Sequence, residues 1–269
     1  MSLLTFIGLG LNDERGMSLQ GLNLAREADC VFAEFYTSLM PRLNIGNLER
    51  LTGKRILVLE RSDVEEHAEH MILEKIKGRR AAFLVPGDPM MATTHLDLRL
   101  RAEKAGIETK VVPGTSIFSG ICALTGLQAY KFGRTVTLPR VETGKLPESP
   151  YDNLMTNLSV GLHTLALLDI VTERNYYMTI REGLQYIRKV EVQREEDVLG
   201  GRRLVVGVAR AGADDAAVKA ATVSELLDYD FGGPPHSLVV PSRLHFVEAE
   251  ALKILAGADP EALKGYVST

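Results

Sequence analysis

Residues 81–106 read AAFLVPGDPMMATTHLDLRLRAEKAG, and the order of residue types along this stretch decides the fold class. The first five residues are almost wholly apolar, which is typical of a strand buried on both faces of a parallel sheet. Pro-Gly-Asp-Pro at 86–89 predicts a sharp turn, because proline fixes φ and glycine admits conformations that other residues avoid. A helix is predicted to begin near Thr93 or Thr94 and to end with Gly106 as its C-cap. The stretch therefore predicts a strand, a tight turn and a helix in succession.

The same alternation of strand and helix recurs along the first half of the chain. Four further apolar runs are predicted strands, at 3–9, 30–35, 55–60 and 109–112. Amphipathic spacing predicts helices at 18–29 and 62–77, and Ser62 with Glu65 forms a predicted capping box at the start of the second. Nearly continuous apolar strands that alternate with helices indicate a parallel sheet covered on both faces.

The pattern restarts after Pro113-Gly114. A short helix is predicted within 115–126, a polar loop at 141–150 and a helix at 246–257. Strands are predicted at 134–139, 161–170, 202–209 and 236–241. We therefore predict two α/β domains, 1–113 and 114–269, with a parallel sheet in the first and a mixed sheet in the second.

Composition and charge limit the possible classes of protein. The formal net charge of −4 gives no basic footprint for nucleic acid. Cys30 and Cys122 are too few for a disulfide framework or a thiolate zinc cluster, and their apolar surroundings predict buried structural thiols in a reducing cytoplasm. The apolar segment 1–11 is shorter than the ~20 residues of a membrane span. It predicts a first core strand rather than a signal peptide.

The segment FIGLGLNDERG at 6–16 invites comparison with the dinucleotide-binding fingerprint G-x-G-x-x-G. Gly8 and Gly10 occupy its first two positions, but Asp13 occupies the third, where glycine allows close packing of helix on strand. Glu34, at the end of the second predicted strand, could serve as the ribose-binding acid of a nicotinamide enzyme. The fingerprint is incomplete, so an ordinary turn at the end of a strand is favoured over a nicotinamide site.

Three unusual turns follow the first, fourth and fifth predicted strands. In a parallel α/β sheet ligands bind outside the carboxyl ends of the strands, so these turns are expected to face one crevice. Free N–H groups at the helix after Pro-Gly-Asp-Pro would suit an anion, yet no Walker motif is present. Asp88 and His95 lack a second histidine or cysteine at ligand spacing, which disfavours a metal. The alternatives are that Asp88 only stabilises its own turn and that Ser116 is an ordinary N-cap.

The second half carries its own polar positions at strand ends. Asp169 and Arg210 end or interrupt apolar strands, and a structural pair between them is the simplest explanation. Pro234-Pro235 makes a rigid turn that aims the imidazole of His236, for which an ordinary hydrogen-bonded histidine is the alternative. The sequence contains neither G-x-S-x-G nor H-E-x-x-H, so hydrolysis, metal chemistry and nucleophilic catalysis have no positive support.

Seven segments together resemble the archaeal diphthine synthases, a family of the class III, tetrapyrrole-methylase-like methyltransferases. They are FIGLGLNDERG (6–16), VFAEFYTSLM (31–40), VPGDPMMATTH with LRLRAEKAG (85–106), TSIFSG (115–120), GLHTLALLDI (161–170), VARAG (208–212) and FGGPPHSLVVPSRLHFVEAEAL (231–252). The resemblance runs in order from about residue 4 to residue 255. It implies two α/β domains with S-adenosylmethionine in the cleft between them, S-adenosylhomocysteine as the product, no metal, and a homodimer.

The resemblance also implies a reaction and a set of binding residues. The reaction is trimethylation of the amino group of 2-(3-amino-3-carboxypropyl)histidine on translation elongation factor 2, in diphthamide biosynthesis. The implied cofactor-binding residues are Leu11, Asp88, Met91, Ser116, Ile117, Leu168, Ala211 and His236. No residue is singled out as a general base.

The sequence departs from the wider family in three places. Most tetrapyrrole methylases carry a third glycine and Gly-Asp in the first motif, where this sequence has LNDER, as in the diphthine branch. Gly114-Thr115 stands where Ala-Pro commonly precedes Ser-Ile, and Lys145 stands where relatives often carry tryptophan. Three alternatives therefore stay open: a corrinoid or tetrapyrrole precursor methylase of the same fold, a nicotinamide-dependent oxidoreductase, and a non-catalytic ligand sensor.

Overall fold

The computed structural model describes residues 1–142 and 144–267. The chain divides into two compact units, of which the first comprises Met1–Ile117 and the second begins at Phe118. Each unit is built around its own five-stranded sheet. Among the described residues, none of the helices is long and apolar enough to span a membrane.

The first unit contains the predicted parallel sheet. Its strands are β1 (Leu3–Gly8), β2 (Cys30–Glu34), β3 (Ile56–Leu59), β4 (Arg80–Val85) and β5 (Glu108–Val112). They lie in the order β3-β2-β4-β1-β5, and every pair is parallel. All five strands predicted for this half are present, within a residue of their predicted starts. The carboxyl ends of β1, β4 and β5, which are neighbours, therefore lie side by side.

Successive residues of the central strands enter different hydrophobic clusters, so the sheet is buried on both faces. Phe6 of β1 and Phe83 of β4 belong to one cluster, where their rings meet edge to face at 5.7 Å. Ile7 and Leu84, the next residue in each strand, belong to the other cluster. This explains why the strands read as unbroken apolar runs.

Helices of the first unit cover this sheet. They are α1 (Leu19–Glu27), α2 (Ile45–Thr52), α3 (Arg61–Glu65) and α4 (His95–Lys104), and Glu69–Leu73 forms a π-helical turn. The helix α5 (Ile117–Thr125) begins at the last residue of the unit.

Three predictions for these helices are wrong. The continuous helix predicted at 62–77 is interrupted, because α3 ends at Glu65 before the π-helical turn. The capping box is not Ser62 with Glu65: the helix begins immediately after β3, so Glu60 is the N-cap and its N–H donates to the Asp63 carboxylate at 3.0 Å. For α4, the cap residue is Ala105, and Gly106 follows with a φ of 73°.

The second unit contains a mixed sheet, as predicted. Its strands are β6 (Val136–Leu138), β7 (Thr164–Leu168), β8 (Ile170–Val171), β9 (Tyr176–Tyr177), β10 (Leu204–Ala209), β11 (Ala217–Thr222) and β12 (His236–Val240). The main sheet has the order β11-β10-β12-β7-β6, with β6 and β7 parallel and the other pairs antiparallel. The strand predicted at 161–170 stops at Leu168, and the chain continues into the small hairpin of β8 and β9.

Within the described residues, five helices follow α5 and complete the second unit. They are α6 (Ser149–Ser159), α7 (Ile180–Arg194), α8 (Val223–Asp228), α9 (Phe246–Leu255) and α10 (Pro260–Leu263). The sequence analysis assigned neither α6, α7 nor β11. The polar loop predicted at 141–150 ends at Glu148, the N-cap of α6, and its residue Thr143 lies outside the described residues.

Candidate functional site

The turns after β1, β4 and β5 meet through glycine backbones at the carboxyl edge of the parallel sheet. The Gly10 N–H donates to the Gly87 carbonyl at 3.1 Å, and the Gly87 N–H donates to the Gly10 carbonyl at 2.7 Å. A Cβ atom on Gly8 would lie 2.5 Å from the Gly114 nitrogen, so neither position leaves space for a side chain. The predicted convergence of the three turns is therefore present, and their glycine backbones pack directly against one another.

Asp88 ties two of these turns together. One carboxylate oxygen accepts from the Met90 N–H at 2.9 Å, and the other accepts from the Gly114 N–H at 3.1 Å. The alternative reading of Asp88, as a residue that stabilises its own turn, thus has direct support. A ligand could use only the lone pairs that these two bonds leave over.

The loop between β4 and α4 is closed by bonds to one carbonyl group. The Thr93 hydroxyl donates to the Pro89 carbonyl at 2.9 Å, and His95 Nδ1 lies 3.2 Å from the same oxygen. Ala92 has a φ of 56°, a left-handed conformation that costs a residue with a Cβ roughly 1–2 kcal/mol. Met91 belongs to this loop, and 43% of its surface is exposed, which makes it accessible to a ligand.

The residues after Gly10 form a second polar loop. Asp13 caps the short 3-10 turn Glu14–Gly16, and the Arg15 guanidinium donates to its carboxylate at 2.7 Å. The hydrogen bonds from Arg15 lower the pKa of Asp13, although burial opposes them. A carboxylate held charged at the third fingerprint position would repel a dinucleotide phosphate, which argues further against the nicotinamide alternative.

Asn12, which the sequence analysis passed over, carries an unsatisfied polar atom beside the predicted contact Leu11. Its side chain is 7% exposed, and its Oδ1 is buried without a hydrogen-bond partner among the described residues. A buried polar atom without a partner costs free energy, so it is an available anchor for a polar ligand group. Only the buried polar atom, and no motif, could have revealed this residue.

The Glu34 carboxylate forms hydrogen bonds within its own turn and does not face a surface where a ribose could bind. It has no exposed surface, and its carboxylate accepts from the N–H groups of Tyr36 at 2.9 Å and Thr37 at 3.0 Å. Burial raises its pKa to about 7. The second feature of the nicotinamide alternative is therefore absent as well.

Ser116 and Ile117 lie directly before and at the first residue of α5, and both are partly buried. They follow the turn at Gly114 that packs against Gly8. The first unit thus brings five of the predicted contacts to the turns at its carboxyl edge or to the chain directly following them. These contacts are Leu11, Asp88, Met91, Ser116 and Ile117.

The second unit brings the other three predicted contacts to one edge of its own sheet. Leu168 ends β7, Ala211 lies two residues past β10, and His236 begins β12. These strands are neighbours, because His236 pairs with Ala209 and Ser237 pairs with Leu167. All three residues are at most 9% exposed.

The imidazole of His236 is fixed by the backbone around it. Its Nδ1 accepts from the Ile180 N–H at 3.3 Å, and its Nε2 lies 3.2 Å from the carbonyl oxygens of both Gly232 and Gly233. Burial lowers its pKa, so the ring is neutral with the proton on Nε2. The turn does aim the ring as predicted, but both ring nitrogens bond within the chain.

The structural pair predicted between Asp169 and Arg210 is wrong. The Arg210 guanidinium donates to Asp215 at 3.0 Å and to the Phe231 carbonyl at 2.7 Å. Asp169 accepts from the backbone N–H groups of Arg140 and Ile170 at 2.7 and 2.9 Å. Each side chain is satisfied by nearby loops, because each lies at a strand end where backbone groups are unpaired.

Two further predictions concern cysteines and metals. Cys30 and Cys122 are free thiols that are partly exposed, so their predicted full burial is wrong, although burial still raises the pKa of both. Across residues 1–142 and 144–267, no group of three or more His, Cys, Asp or Glu side chains is placed to hold a metal ion.

The chain is similar to known proteins over almost its whole length. Residues 3–227 match the model of the tetrapyrrole (corrin/porphyrin) methylases. The chain is 48% identical to a diphthine synthase of Methanocella arvoryzae, over 95% of this chain and 98% of that protein. It is also 48% identical to a diphthine synthase of Methanosarcina barkeri, over 95% of this chain and 96% of that protein. The chain belongs to the diphthine synthases, within the tetrapyrrole methylase family.

Solved structures of the family share its architecture. A crystal structure of diphthine synthase is 39% identical and superposes with a TM-score of 0.86, covering 97% of this chain and 98% of that one. Residues 3–227 span the parallel sheet and much of the mixed sheet, including both sets of predicted contacts up to Ala211. The match to the family model therefore extends over most of the fold and does not rest on one motif.

The residues of the first unit fit the cofactor that the family implies. Gly8, Gly87 and Gly114 lack side chains at the carboxyl edge of the sheet, so the turns that carry Leu11, Asp88 and Ser116 lie close together. Asn12 offers a polar atom without a partner, and Met91 offers exposed apolar surface. Few polar anchors among apolar walls are typical of small-molecule sites.

Proposed function

We propose that this chain is a diphthine synthase that uses S-adenosylmethionine to trimethylate the amino group of 2-(3-amino-3-carboxypropyl)histidine on translation elongation factor 2. The observation that carries the proposal is the convergence of the glycine turns after β1, β4 and β5. In parallel α/β sheets this edge is where ligands bind. Family membership supplies the cofactor and the reaction class.

The proposed cofactor-binding residues are those that the resemblance implied. The first unit contributes Leu11, Asp88, Met91, Ser116 and Ile117, and the second contributes Leu168, Ala211 and His236. We assign shielding of the apolar parts of the ligand to Met91, Ile117 and Leu168. Because Asp88 and His236 already bond within the chain, their role is to hold the turns whose backbone groups contact the ligand.

When bound, S-adenosylmethionine supplies an activated methyl group on a sulfonium. The chain must align the acceptor amine with that group and exclude water, and positioning of this kind can supply roughly 7–11 kcal/mol. The amine must be neutral to attack. Apolar side chains such as Met91 and Ile117 would depress the pKa of the amine by disfavouring its charged form.

Isothermal titration calorimetry tests the cofactor assignment. We expect S-adenosylmethionine and S-adenosylhomocysteine to bind in the presence of a metal chelator, and NADH not to bind. Binding of NADH without binding of S-adenosylhomocysteine would contradict this assignment and support a nicotinamide-dependent oxidoreductase instead.

Transfer of a labelled methyl group tests the substrate. Elongation factor 2 carrying the unmethylated 2-(3-amino-3-carboxypropyl)histidine should gain label and three methyl groups by mass spectrometry. A corrinoid precursor should gain none. The matched control is elongation factor 2 with the target histidine unmodified, and labelling of that control at another site would contradict the proposed specificity.

The assembly and the compartment are part of the same proposal. We propose a homodimer, by resemblance to the family, and the cytoplasm as the compartment, because the substrate is a translation factor and both cysteines are free thiols. Light scattering of the purified protein tests the homodimer, and a mass equal to one chain at micromolar concentration would contradict it.

A further inference from the structure

Glu34 and His95 form a buried pair directly beneath the loop that carries the proposed contacts Asp88 and Met91. Neither side chain has exposed surface, and Glu34 Oε1 lies 3.6 Å from His95 Nε2. The Tyr36 hydroxyl lies 3.4 Å from the same Nε2. The rings of Phe83 and His95 meet edge to face at 5.2 Å, which closes the pair off from water.

The other nitrogen of His95 anchors the loop. Nδ1 lies 3.2 Å from the Pro89 carbonyl oxygen, an arrangement that is favourable only when Nδ1 carries a proton. Pro89 stands three residues before Ala92, whose φ of 56° must be maintained by contacts elsewhere in the loop. The bond from His95 is one such contact, and the bonds from the Thr93 hydroxyl to Pro89 and from the Met90 N–H to Asp88 are others.

The remaining charged groups around the pair offset one another. From α3, the Arg61 guanidinium lies 4.9 Å from the Tyr36 ring, and Glu65 accepts from both Arg61 at 3.4 Å and the Thr94 hydroxyl at 2.9 Å. From α4, Asp97 pairs with Arg101 at 3.2 Å. From β4, the facing residue is the uncharged Phe83. Among the charged groups, the proton count of the pair therefore depends chiefly on Glu34 and His95 themselves. The Thr37 hydroxyl donates to Glu34 Oε1, and this bond and the N–H bonds of Tyr36 and Thr37 favour the ionised carboxylate, although burial outweighs them.

The arrangement links that proton count to the loop. With Glu34 protonated, Nε2 faces an O–H group and the Tyr36 hydroxyl, so the imidazole proton belongs on Nδ1 and points at Pro89. With Glu34 ionised and the pair short of one proton, a lone pair on Nε2 would face a buried carboxylate, which is unfavourable. The imidazole proton then moves to Nε2, and the Pro89 carbonyl loses its donor. Burial raises the pKa of Glu34 to about 7 and lowers that of His95 to about 4, which favours the doubly uncharged pair between those two values.

We propose that His95 is a positioning residue and that Glu34 makes it proton-dependent: while the pair holds its shared proton, the Nδ1–H group fixes Pro89 and keeps Met91 presented, and loss of that proton releases the loop. The proposal rests on the proposed function, because it assigns the loop between β4 and α4 to the binding of S-adenosylmethionine. It adds two residues to that site that touch no ligand.

NMR of the imidazole nitrogens tests the anchor without any ligand. We expect His95 to be protonated on Nδ1 below about pH 6 and on Nε2 above about pH 8. The reason is that the hydrogen-bond partner of each ring nitrogen determines which of the two carries the proton. In Glu34→Gln the amide can donate to Nε2, so the proton should stay on Nδ1 throughout. A tautomer that does not change with pH in the wild-type protein would overturn the proposal.

Affinity for S-adenosylhomocysteine, measured by calorimetry over the same range, tests the consequence. Loss of a single neutral hydrogen bond predicts that the wild-type Kd rises roughly tenfold with pH. Glu34→Gln should bind with the low-pH affinity at every pH, and Asp97→Asn, which removes a charge from the same helix, should behave like the wild type. Persistence of the full pH dependence in Glu34→Gln would overturn the proposal.

The two readouts separate this proposal from the proposed function. If the tautomer changes as expected but S-adenosylhomocysteine binds at no pH, the proposed function fails and the anchor stands. If the ligand binds with a flat pH profile while the tautomer changes, the link from anchor to loop is wrong. His95→Asn, which keeps a donor near Pro89, should retain more affinity than His95→Leu, and equal affinity of the two would contradict the bond.

Discussion

Glu34 and His95 affect stability in opposite directions as pH changes. The pKa of Glu34 rises from 4.5 to about 7 on folding, so between those values the folded state binds more protons and stability falls as pH rises. The pKa of His95 falls from 6.5 to about 4, so between those values the unfolded state binds more protons and stability rises with pH. The two contributions nearly cancel in the wild-type protein over the range in which they overlap.

Glu34→Gln should remove one of the two contributions. We expect the unfolding free energy of Glu34→Gln, relative to the wild type, to increase by about 3 kcal/mol as pH rises from 4.5 to 7, at 1.36 kcal/mol per pKa unit. Urea unfolding at a series of pH values measures this difference. The exposed Glu66→Gln is the matched control and should give a flat difference, and a flat difference for Glu34→Gln would show that the carboxylate is ionised throughout.

At the scale of the element, the close approach of the three turns can be tested by adding a Cβ atom to one of their glycines. A Cβ atom on Gly114 would lie 2.8 Å from Gly8 Cα and nearer still to the Gly87 carbonyl oxygen. Gly114→Ala should therefore destabilise the protein by about 3 kcal/mol, the upper range for overpacking. Gly53 has a φ of 68° but nothing within 4 Å, so Gly53→Ala should cost only about 1 kcal/mol. Equal losses in urea unfolding would mean that the turns can separate.

Glu248 ties the start of α9 to two other segments of the second unit. It has no exposed surface, and it accepts from the Gln128 N–H at 2.9 Å, from His163 Nε2 at 3.2 Å and from Lys131. Burial opposes its ionisation, but these hydrogen bonds prevail and lower its pKa from 4.5 to about 2. Its contribution is therefore present above pH 4.5 and is lost as pH falls towards 2.

Glu248→Gln should accordingly make the protein less stable at neutral pH. We expect a loss of about 3 kcal/mol at pH 7, at 1.36 kcal/mol per unit of pKa, that narrows as the pH falls below 4.5. Guanidinium unfolding at several pH values measures it, with the exposed Glu250→Gln as the control. A loss that does not change with pH would mean that packing, and not charge, sets the cost.

Local sequence predicted the elements whose residues match the local structure. The apolar runs of the parallel sheet were readable because both faces are buried. The strand β11, with sequence AVKAAT, was not, because alanine and lysine do not favour strands and only pairing with β10 makes it one. Thr179 and Glu182 form a capping box of the T-x-x-E pattern at the start of α7. This pattern is visible in the sequence, but the sequence analysis did not use it to predict the helix.

The candidate site was predictable only where it consists of turns. Gly-Leu-Gly after β1 and the Pro-Gly pairs after β4 and β5 indicated the convergence of Gly10, Gly87 and Gly114, since parallel strands bring their carboxyl ends together. The bond from His95 to Pro89 and the pairing of His95 with Glu34 were not predictable, because Glu34 and His95 lie 61 residues apart. Contacts between distant segments require the packed structure.

At the scale of the whole molecule, the proposed function predicts a stability that depends on ligand. A ligand that binds only the folded state at a hundred times its Kd adds about 2.7 kcal/mol to the unfolding free energy. S-adenosylhomocysteine should therefore raise the thermal midpoint of the protein by several degrees, while NADH at the same concentration should not.

Met91→Ala tests whether the ligand that stabilises the protein contacts the loop between β4 and α4. The side chain of Met91 is 43% exposed, so its truncation should barely change the stability of the ligand-free protein. Because Met91 is proposed to cover the apolar part of the ligand, its loss should remove about 1 kcal/mol of the ligand-dependent gain, as burial of a methylene or two predicts. Leu96 on α4 is 57% exposed and lies outside the proposed contacts, so Leu96→Ala should keep the full gain. A full gain in Met91→Ala would place the ligand away from the loop between β4 and α4.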